Sequence, residues 1–282
     1  MLRVIRNITE IQEILFNVRT EGKIIGFVPT MGYLHEGHLS LVKEAKKDCD
    51  IIVMSIFVNP LQFGVDEDYD IYPRDLARDK QSAEEAEVDY IFYPAVTEMY
   101  PEGYSTFVNV ENLTDVLCGA QRPGHFKGVT TVVLKLLNII FPHRAYFGQK
   151  DAQQVTVIKR MVRDLNIPVK IIAVPIKRED DGIAISSRNV YLTKEERKQA
   201  TCLYKSLKLA EQMILQGENQ AETVKKEIEN EINKNNLAKI DYIEIVNAES
   251  LDSVELIKGS ILIALAVKFG KMRLIDNLMM EV

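Results

Sequence analysis

Residues 24–38 read Ile-Ile-Gly-Phe-Val-Pro-Thr-Met-Gly-Tyr-Leu-His-Glu-Gly-His, and this stretch decides the fold. The apolar run 24–28 predicts a buried strand, the glycine-containing segment a turn, and the apolar spacing that follows a helix. A strand, turn and helix in this order direct free backbone N–H groups and the positive end of the helix dipole towards an anion. His35 and His38 are three apart and so share one helical face at this point. The stretch therefore predicts a phosphate site and indicates chemistry on ATP.

The alternation of strand and helix continues outward from this stretch. Further strands are expected at 51–58, 89–93, 145–148 and 169–176, and helices at 39–47, 76–86, 129–140 and 152–165. Apolar strands separated by helices are typical of a parallel, doubly wound sheet, so we predict a Rossmann-like α/β fold. Ligands of such sheets bind beyond the carboxyl ends of the strands, which is where residues 29–38 are expected to lie.

A different pattern begins near residue 176. Thr193-Lys194-Glu195-Glu196 is a capping box and predicts a helix that ends at Gly217, followed by a charged helix at 221–235. Three strands are then expected at 241–247, 260–269 and 272–278. We therefore predict two domains, residues 1–176 with the doubly wound sheet and residues 177–282 forming a smaller C-terminal α+β domain.

The composition excludes several classes of function. Of the 282 residues, 46% are hydrophobic and 27% are charged, as in ordinary globular domains. The apolar runs are too short to span a membrane and the N-terminus has no signal-peptide pattern, so we expect a cytoplasmic protein with no membrane partner. The net charge of −6 argues against an extended nucleic-acid surface. Cys49, Cys118 and Cys202 have neither metal-binding nor redox spacing and are expected to be reduced thiols.

Polar side chains also follow two other predicted strands. Asn59 and Gln62 are uncharged amides, which suit the hydroxyl and carbonyl groups of a small substrate, although an Asn-Pro turn alone is common. Lys150 can balance phosphate charge and shares a helical face with Gln154. Asp151 either caps the following helix or binds a ribose hydroxyl, and the residues leave both readings open.

Three loops complete the candidate set. Ser186-Ser187-Arg188, at the predicted domain junction, offers hydroxyls, backbone N–H groups and a guanidinium, either as a loop that closes over a triphosphate or as a solvated loop. The basic, glycine-rich loop 122–128 has no role that its spacing fixes. The acidic run 66–68 is either an ordinary surface feature or a weak metal site.

Together and in this order, the motifs resemble those of the pantoate–β-alanine ligase family, in the nucleotidyltransferase superfamily that also contains class I aminoacyl-tRNA synthetases. The residues that carry the resemblance span the predicted catalytic domain and the junction. They are Pro-Thr-Met-Gly-x-Leu-His-x-Gly-His at 29–38, Phe-Val-Asn-Pro-x-Gln-Phe at 57–63, Tyr-Pro-Arg at 72–74, Arg-Pro-Gly-His-Phe at 122–126, Gly-x-Lys-Asp-x-Gln-Gln at 148–154 and Ser-Ser-Arg-Asn at 186–189.

The resemblance implies a two-step reaction. Pantoate attacks the α-phosphorus of ATP to give pantoyl adenylate and pyrophosphate, and β-alanine then attacks the acyl carbon to give pantothenate and AMP. The resemblance also implies Mg²⁺ with the ATP, a homodimer, a nucleotide- and pantoate-binding first domain and a second domain that acts as a lid. Metal ligands stay unassigned.

The resemblance also implies roles for individual residues. His38, His35 and Lys150 would be catalytic, and Gln62, Gln154 and Asn59 would hold pantoate, with Gln62 near β-alanine. The implied ATP-binding residues are Thr30, Met31, Gly32, His35, Gly37, His38, Gly148, Lys150, Asp151, Lys177, Ile185, Ser186, Ser187 and Arg188. Two positions depart from the family pattern, since Ile185 replaces a usual Met and Lys177 replaces a frequent Val. Ile185 is still apolar, so we expect little effect from it. The change at Lys177 is harmless if its contact to adenine is made by backbone atoms, and a side-chain contact would put it in doubt.

Two alternatives are compatible with parts of the pattern. Another small-molecule nucleotidyltransferase of the superfamily would need extra cations for a substrate phosphate, whereas Gln62 and Gln154 are uncharged. A non-catalytic nucleotide-binding module would show losses at the His, Lys or Ser-Ser-Arg positions, and all of these are present.

Overall fold

The computed structural model describes residues 1–64, 67 and 69–282. These residues form two compact units, one of Met1–Gln149 with Val157–Pro175 and one of Lys150–Thr156 with Ile176–Val282. The short segment Lys150–Thr156 thus belongs to the second unit, although the residues on both sides of it belong to the first. Among the described residues, no helix combines the length and the hydropathy that crossing a membrane requires.

The first unit contains a six-stranded parallel sheet. The sequence predicts its parallel, doubly wound character and five of its strands, but not the N-terminal one. Its strands are β1 (Arg3–Ile5), β2 (Ile25–Thr30), β3 (Ile51–Ile56), β4 (Tyr90–Phe92), β5 (Arg144–Gly148) and β6 (Lys170–Val174). They lie in the order β1-β4-β3-β2-β5-β6, and every pairing is parallel. The strand order reverses between β2 and β5, so this is the switch point at which doubly wound sheets bind ligands.

Helices alternate with these strands. They are α1 (Ile8–Thr20), α2 (Glu36–Ala45), α3 (Leu76–Glu85), α4 (Val96–Met99), α5 (Leu117–Gln121), α6 (His125–Ile140) and α7 (Ala152–Asp164). Leu41, Val42 and Ala45 of α2 are buried in one core cluster with Val28 of β2 and Met54 of β3. This packing holds the first turn of α2 directly after the carboxyl end of β2, at the switch point.

The second unit has an antiparallel sheet with helices, which confirms the predicted α+β character. Its elements are α8 (Lys194–Ala200), α9 (Cys202–Leu215), α10 (Ala221–Asn233), β7 (Ala238–Asn247), β8 (Ser260–Phe269) and β9 (Met272–Glu281), with the strands in the order β7-β8-β9. The capping box at Thr193 and Glu196 is present. The single helix predicted up to Gly217 is wrong, because the chain forms two helices that meet at Thr201. The Thr201 hydroxyl donates to the carbonyl of Lys198, the kind of local side-chain bond that bends helices.

Candidate active site

The turn after β2 requires glycine at position 32. Gly32 has φ +84°, and a Cβ atom there would lie 2.8 Å from both Asp79 Oδ2 and Ile56 Cγ2. The next residue, Tyr33, also has a positive φ of 51°. A substituted residue 32 would be strained in its backbone and would collide with two buried neighbours.

Asp79, on α3, holds this turn through its carboxylate. Oδ2 accepts from the backbone N–H of Tyr33 at 2.8 Å, and Oδ1 accepts from that of Leu34 at 2.7 Å. The neighbouring Arg78 guanidinium lies 4.5 Å over the Tyr33 ring and donates to the Leu34 carbonyl at 3.3 Å. Asp79 is 1% exposed, and its burial raises the pKa of the carboxyl above its ordinary value, although the two backbone N–H groups oppose that shift.

The expectation that this turn offers free backbone N–H groups is wrong for four of them. Besides Tyr33 and Leu34, Gly32 donates to Thr30 Oγ1 at 3.1 Å and Gly37 donates to His35 Nδ1 at 3.1 Å. The sequence could not show this, because the Tyr33 and Leu34 acceptors come from a residue more than forty positions away. These four N–H groups already have acceptors, so an anion at this turn would meet mainly side chains and the field of α2.

His35 and His38 lie together at the start of α2. His35 is the N-cap in an extended conformation, one residue before the helix, so it is not on the helical face that the spacing predicts. The rings nevertheless stack, with centroids 4.0 Å apart and planes 19° from parallel. Because His35 Nδ1 accepts from the N–H of Gly37, the neutral form of the ring carries its proton on Nε2.

Asn59 and Gln62 form one amide pair after β3. Asn59 is 1% exposed, and its Nδ2 donates to Gln62 Oε1 and to the Gly128 carbonyl, each at 3.1 Å. Gln62 Nε2 donates to Met31 Sδ at 3.2 Å, so the pair adjoins the turn that follows β2. The structure thus brings together two of the motifs that the sequence shows separately.

The basic loop 122–128, whose role the sequence does not fix, packs beside the same amide pair. Arg122 pairs with Glu67, with Nε 2.7 Å from Oε1, and donates to the Gln62 carbonyl at 3.4 Å, while His125 Nδ1 lies 2.8 Å from that carbonyl. The Arg122 guanidinium lowers the pKa of the Glu67 carboxyl. Asp66 and Asp68 of the acidic run lie outside the described residues. Elsewhere in the described chain, no three His, Cys, Asp or Glu side chains are grouped as metal ligands.

Lys150, Asp151 and Gln154 belong to the second unit, whereas Gly148 ends β5 in the first. Lys150 and Asp151 lie in a 3-10 turn, and Gln154 lies in the first turn of α7. The Lys150 carbonyl accepts from Nδ2 of Asn277 on β9 at 2.9 Å. This bond fixes the backbone of the lysine from within the second unit.

Lys177 and Ile185 are joined through their backbones. The N–H of Ile185 donates to the carbonyl of Lys177 at 3.0 Å, and Arg178 and Ala184 form an antiparallel bridge beside them. Arg178 makes a two-pronged pair with Asp276 on β9, at 2.6 and 2.9 Å. The predicted loop is therefore a short hairpin anchored on β9.

The Ser-Ser-Arg segment follows this hairpin directly. Ser186 Oγ accepts from the N–H of Arg188 at 3.3 Å and so caps a 3-10 helix at Ser187–Tyr191. The hydroxyl of Ser186 thus already has a structural function.

Sequence reasoning misses Asp79, Tyr100 and Asp276. Tyr100 donates through its hydroxyl to Asn59 Oδ1 at 2.8 Å, across forty-one positions of the chain. No short motif contains any of the three residues, since each contacts its partner across a long stretch of sequence. Asp276 is only 3% exposed, which is unusual for a charged side chain unless it is paired.

A doubly wound sheet with stacked histidines and an amide pair beside its switch point defines a nucleotide-binding α/β protein. Residues 3–279 match the family model described as pantoate-beta-alanine ligase, and the chain belongs to this family. The resemblance that the motifs carry is therefore confirmed.

Known members are similar over their whole lengths. The pantothenate synthetase of Acetivibrio thermocellus is 60% identical, with 100% of each chain covered, and that of Caldicellulosiruptor bescii is 59% identical, with 99% of each covered. A pantothenate synthetase structure from Thermus thermophilus has a TM-score of 0.93 at 46% identity, with 98% of each chain covered. A pantoate-beta-alanine ligase from Francisella tularensis, complexed with beta-gamma ATP and beta-alanine, has a TM-score of 0.80 at 38% identity, with 99% and 97% covered.

Proposed function

We propose that the chain condenses pantoate with β-alanine at the expense of ATP. A pantoate carboxylate oxygen bonds to the α-phosphorus as the bond to pyrophosphate breaks, and the β-alanine amine then bonds to the acyl carbon as AMP leaves. The observation that carries the proposal is the pair of stacked imidazoles at the start of α2, adjoining an amide pair, in a chain of this family.

The proposed chemistry needs charge neutralisation more than proton transfer. A carboxylate and a triphosphate repel each other, so positioning and electrostatic stabilisation must lower the barrier. The Nε2–H of His35 and the ring of His38 suit phosphoryl oxygens whose charge grows during displacement. We assign phosphate stabilisation to both, and we expect Mg²⁺ to enter with ATP, since Mg²⁺ commonly binds through phosphates and one or two carboxylates.

The remaining role assignments follow the family resemblance. Gln62 and Gln154 would bind pantoate with Asn59 in support, Gly148 and Asp151 would contact adenosine, and Lys150 would bridge phosphate and carboxylate. The turn residues Thr30, Met31, Gly32 and Gly37 would line the nucleotide. Lys177 and Ile185 would act through their backbones, and Ser186, Ser187 and Arg188 would close over the outer phosphates.

Three coarser features are part of the same proposal. We assign nucleotide and pantoate binding to the domain 1–176 and a lid function to 177–282. A homodimer is proposed from the resemblance, and light scattering on the purified chain tests it. Cytoplasmic location is proposed from the biosynthetic character of the family, and fractionation tests it.

Pantoate-dependent exchange of labelled pyrophosphate into ATP, with Mg²⁺ and without β-alanine, tests the reaction. Exchange would show that an acyl adenylate forms before the amine arrives. Pantothenate production without exchange would contradict the two-step order, and silence in both assays would overturn the proposed activity.

The role assignments are tested by His38→Ala and Lys150→Ala in the same exchange assay. Both variants should lose most of the exchange while keeping the wild-type circular dichroism spectrum. A folded variant with full exchange would contradict the role given to that residue.

A further inference from the structure

Tyr100 begins a chain of directed hydrogen bonds that ends at Gln62. Its hydroxyl lies 2.8 Å from Asn59 Oδ1, Asn59 Nδ2 lies 3.1 Å from Gln62 Oε1, and Gln62 Nε2 lies 3.2 Å from Met31 Sδ. Tyr100 lies between the motifs at 72–74 and 122–126 and belongs to neither.

Two backbone groups settle which way the Asn59 amide faces. Oδ1 of Asn59 accepts from the N–H of Leu61 at 3.3 Å, and Nδ2 donates to the carbonyl of Gly128 at 3.1 Å. A flipped amide would set an N–H₂ against an N–H and an oxygen against a carbonyl, so only one orientation satisfies both neighbours. Tyr100 must then donate to Oδ1, because the amide oxygen has no proton to give.

The orientation of Asn59 in turn settles that of Gln62. The N–H₂ of Asn59 requires an acceptor, so Gln62 turns its oxygen inward and its own N–H₂ outward towards Met31. A thioether is a weak acceptor, so a substrate oxygen can replace it with a gain in bond strength. Burial raises the pKa of Tyr100, which keeps its hydroxyl protonated and able to donate.

We infer that Tyr100 is a positioning residue that acts through Asn59 to fix Gln62 as a hydrogen-bond donor towards an oxygen of the substrate acid. The group that Gln62 recognises is therefore an acceptor, such as a carboxylate or hydroxyl oxygen. This inference rests on the proposed function, since it takes Gln62 to bind pantoate.

Packing supports a rigid arrangement at this place. The Tyr100 ring stands edge-on to Tyr104, with centroids 5.0 Å apart, and lies near Phe57, with centroids 6.1 Å apart. Gly128 lies so close to the turn that a Cβ atom would be 2.2 Å from the Leu61 carbonyl oxygen. Little freedom is thus left for Asn59, and the Tyr100 hydroxyl completes its set of partners.

Tyr100→Phe tests the inference because it removes one oxygen atom and keeps the ring. We expect the KM for pantoate to rise roughly three- to tenfold, the effect of one hydrogen bond, while the KM for ATP and the melting temperature stay close to wild type. Tyr104→Phe is the matched control, since its hydroxyl takes no part in this chain of bonds, and it should leave both KM values unchanged. An unchanged KM for pantoate in Tyr100→Phe would overturn the inference.

A double-mutant cycle separates positioning from a general structural effect. If Tyr100 acts through Gln62, the Tyr100→Phe substitution should have no further effect on the KM for pantoate in a Gln62→Ala background. An equal effect in both backgrounds would refute the action of Tyr100 through Gln62.

Gln62→Glu presents an oxygen in place of the N–H₂ group and should therefore lose pantoate binding. Retention of wild-type affinity for pantoate would contradict the assigned orientation of the Gln62 amide. Wild-type turnover separates the two hypotheses. An inactive wild type would count against the proposed function, whereas an active wild type with unaffected variants would count against the positioning role of Tyr100.

Discussion

Replacing Asp79 by Asn should damage catalysis far more than stability. The carboxylate accepts two backbone N–H groups of the turn that precedes His35, at 2.8 and 2.7 Å. Asn retains one acceptor oxygen but sets an N–H₂ against the other N–H, so one bond is lost and the turn must shift. A displacement of about 1 Å in a reacting group can cost on the order of 10²-fold in rate, and we expect a loss of that order in kcat.

The expected change in stability is small because two effects oppose each other. The lost bond and the stranded N–H group cost about 1–3 kcal/mol. Removing a buried charge recovers part of this cost, since burial raises the pKa of Asp79 even against its two donors. We therefore expect the free energy of unfolding of Asp79→Asn to lie within about 1 kcal/mol of wild type. Asp79→Ala strands both N–H groups and should be less stable than Asp79→Asn by about 1–3 kcal/mol.

Pyrophosphate exchange and urea unfolding, measured on the same preparations, provide the assay. The pKa of Asp79 is higher in the folded state than in the unfolded state, so the folded state binds the Asp79 proton more tightly. The contribution of Asp79 to the free energy of unfolding therefore falls as the pH rises through this raised pKa. Asp79→Asn lacks this dependence, and the stability difference, wild type minus variant, should decline over that pH range. Full exchange activity in a folded Asp79→Asn protein would refute the reasoning, as would a difference that increases with pH.

Three further predictions concern other parts of the chain. A Cβ atom at position 128 would collide with the Leu61 carbonyl, so Gly128→Ala should raise the KM for pantoate and destabilise the protein by about 1–3 kcal/mol. Kinetics and urea unfolding measure the two effects, and unchanged values for both would contradict the packing described. His143 Nδ1 accepts from the N–H of Ile25 at 2.9 Å, and burial, with Arg19, lowers its pKa. Stability should therefore fall as the pH drops below about 6.5, the ordinary His value, and His143→Asn, which keeps an acceptor, should reduce that slope in urea titrations. Burial raises the pKa of Cys202 to about 12, so a thiol reagent should modify Cys202 only after unfolding, unlike the partly exposed Cys49 and Cys118. Rapid labelling of Cys202 in the native protein, detected by mass spectrometry, would contradict its burial.

The fold was predictable because its signals are local. Apolar runs such as residues 24–28 and 51–58 and the spacing on α2 report buried strands and an amphipathic helix directly. β1 and α1 are absent from the predicted elements. β1 has only three residues, whereas the helical spacing of Ile11, Leu15 and Val18 could have indicated α1. The break at Thr201 was missed because a threonine hydroxyl that bonds back to the chain leaves no mark in the hydrophobic pattern.

The candidate site was predictable only in part. His35, Asn59, Gln62 and Lys150 could be chosen because each follows a strand end. The residues that hydrogen-bond to these segments could not be predicted. Asp79, Tyr100 and Asn277 contact them across long separations in the chain. The N–H groups of Tyr33 and Leu34 were expected to be free, but they donate to Asp79, an acceptor that the sequence pattern does not indicate. Local patterns thus identify candidate side chains, and tertiary contacts determine how those side chains are oriented.

The bond between Asn277 and the Lys150 carbonyl has a consequence for biosynthesis. The two residues are 127 positions apart, so Lys150 leaves the ribosome long before the strand that holds its backbone. A nascent chain that ends before β9 would contain the whole parallel sheet, His35 and His38, yet the Lys150 carbonyl would lack its hydrogen bond from Asn277. The order of translation therefore makes the lysine segment one of the last parts of the molecule to acquire its backbone contacts, and a chain that ends before Asn277 lacks this bond.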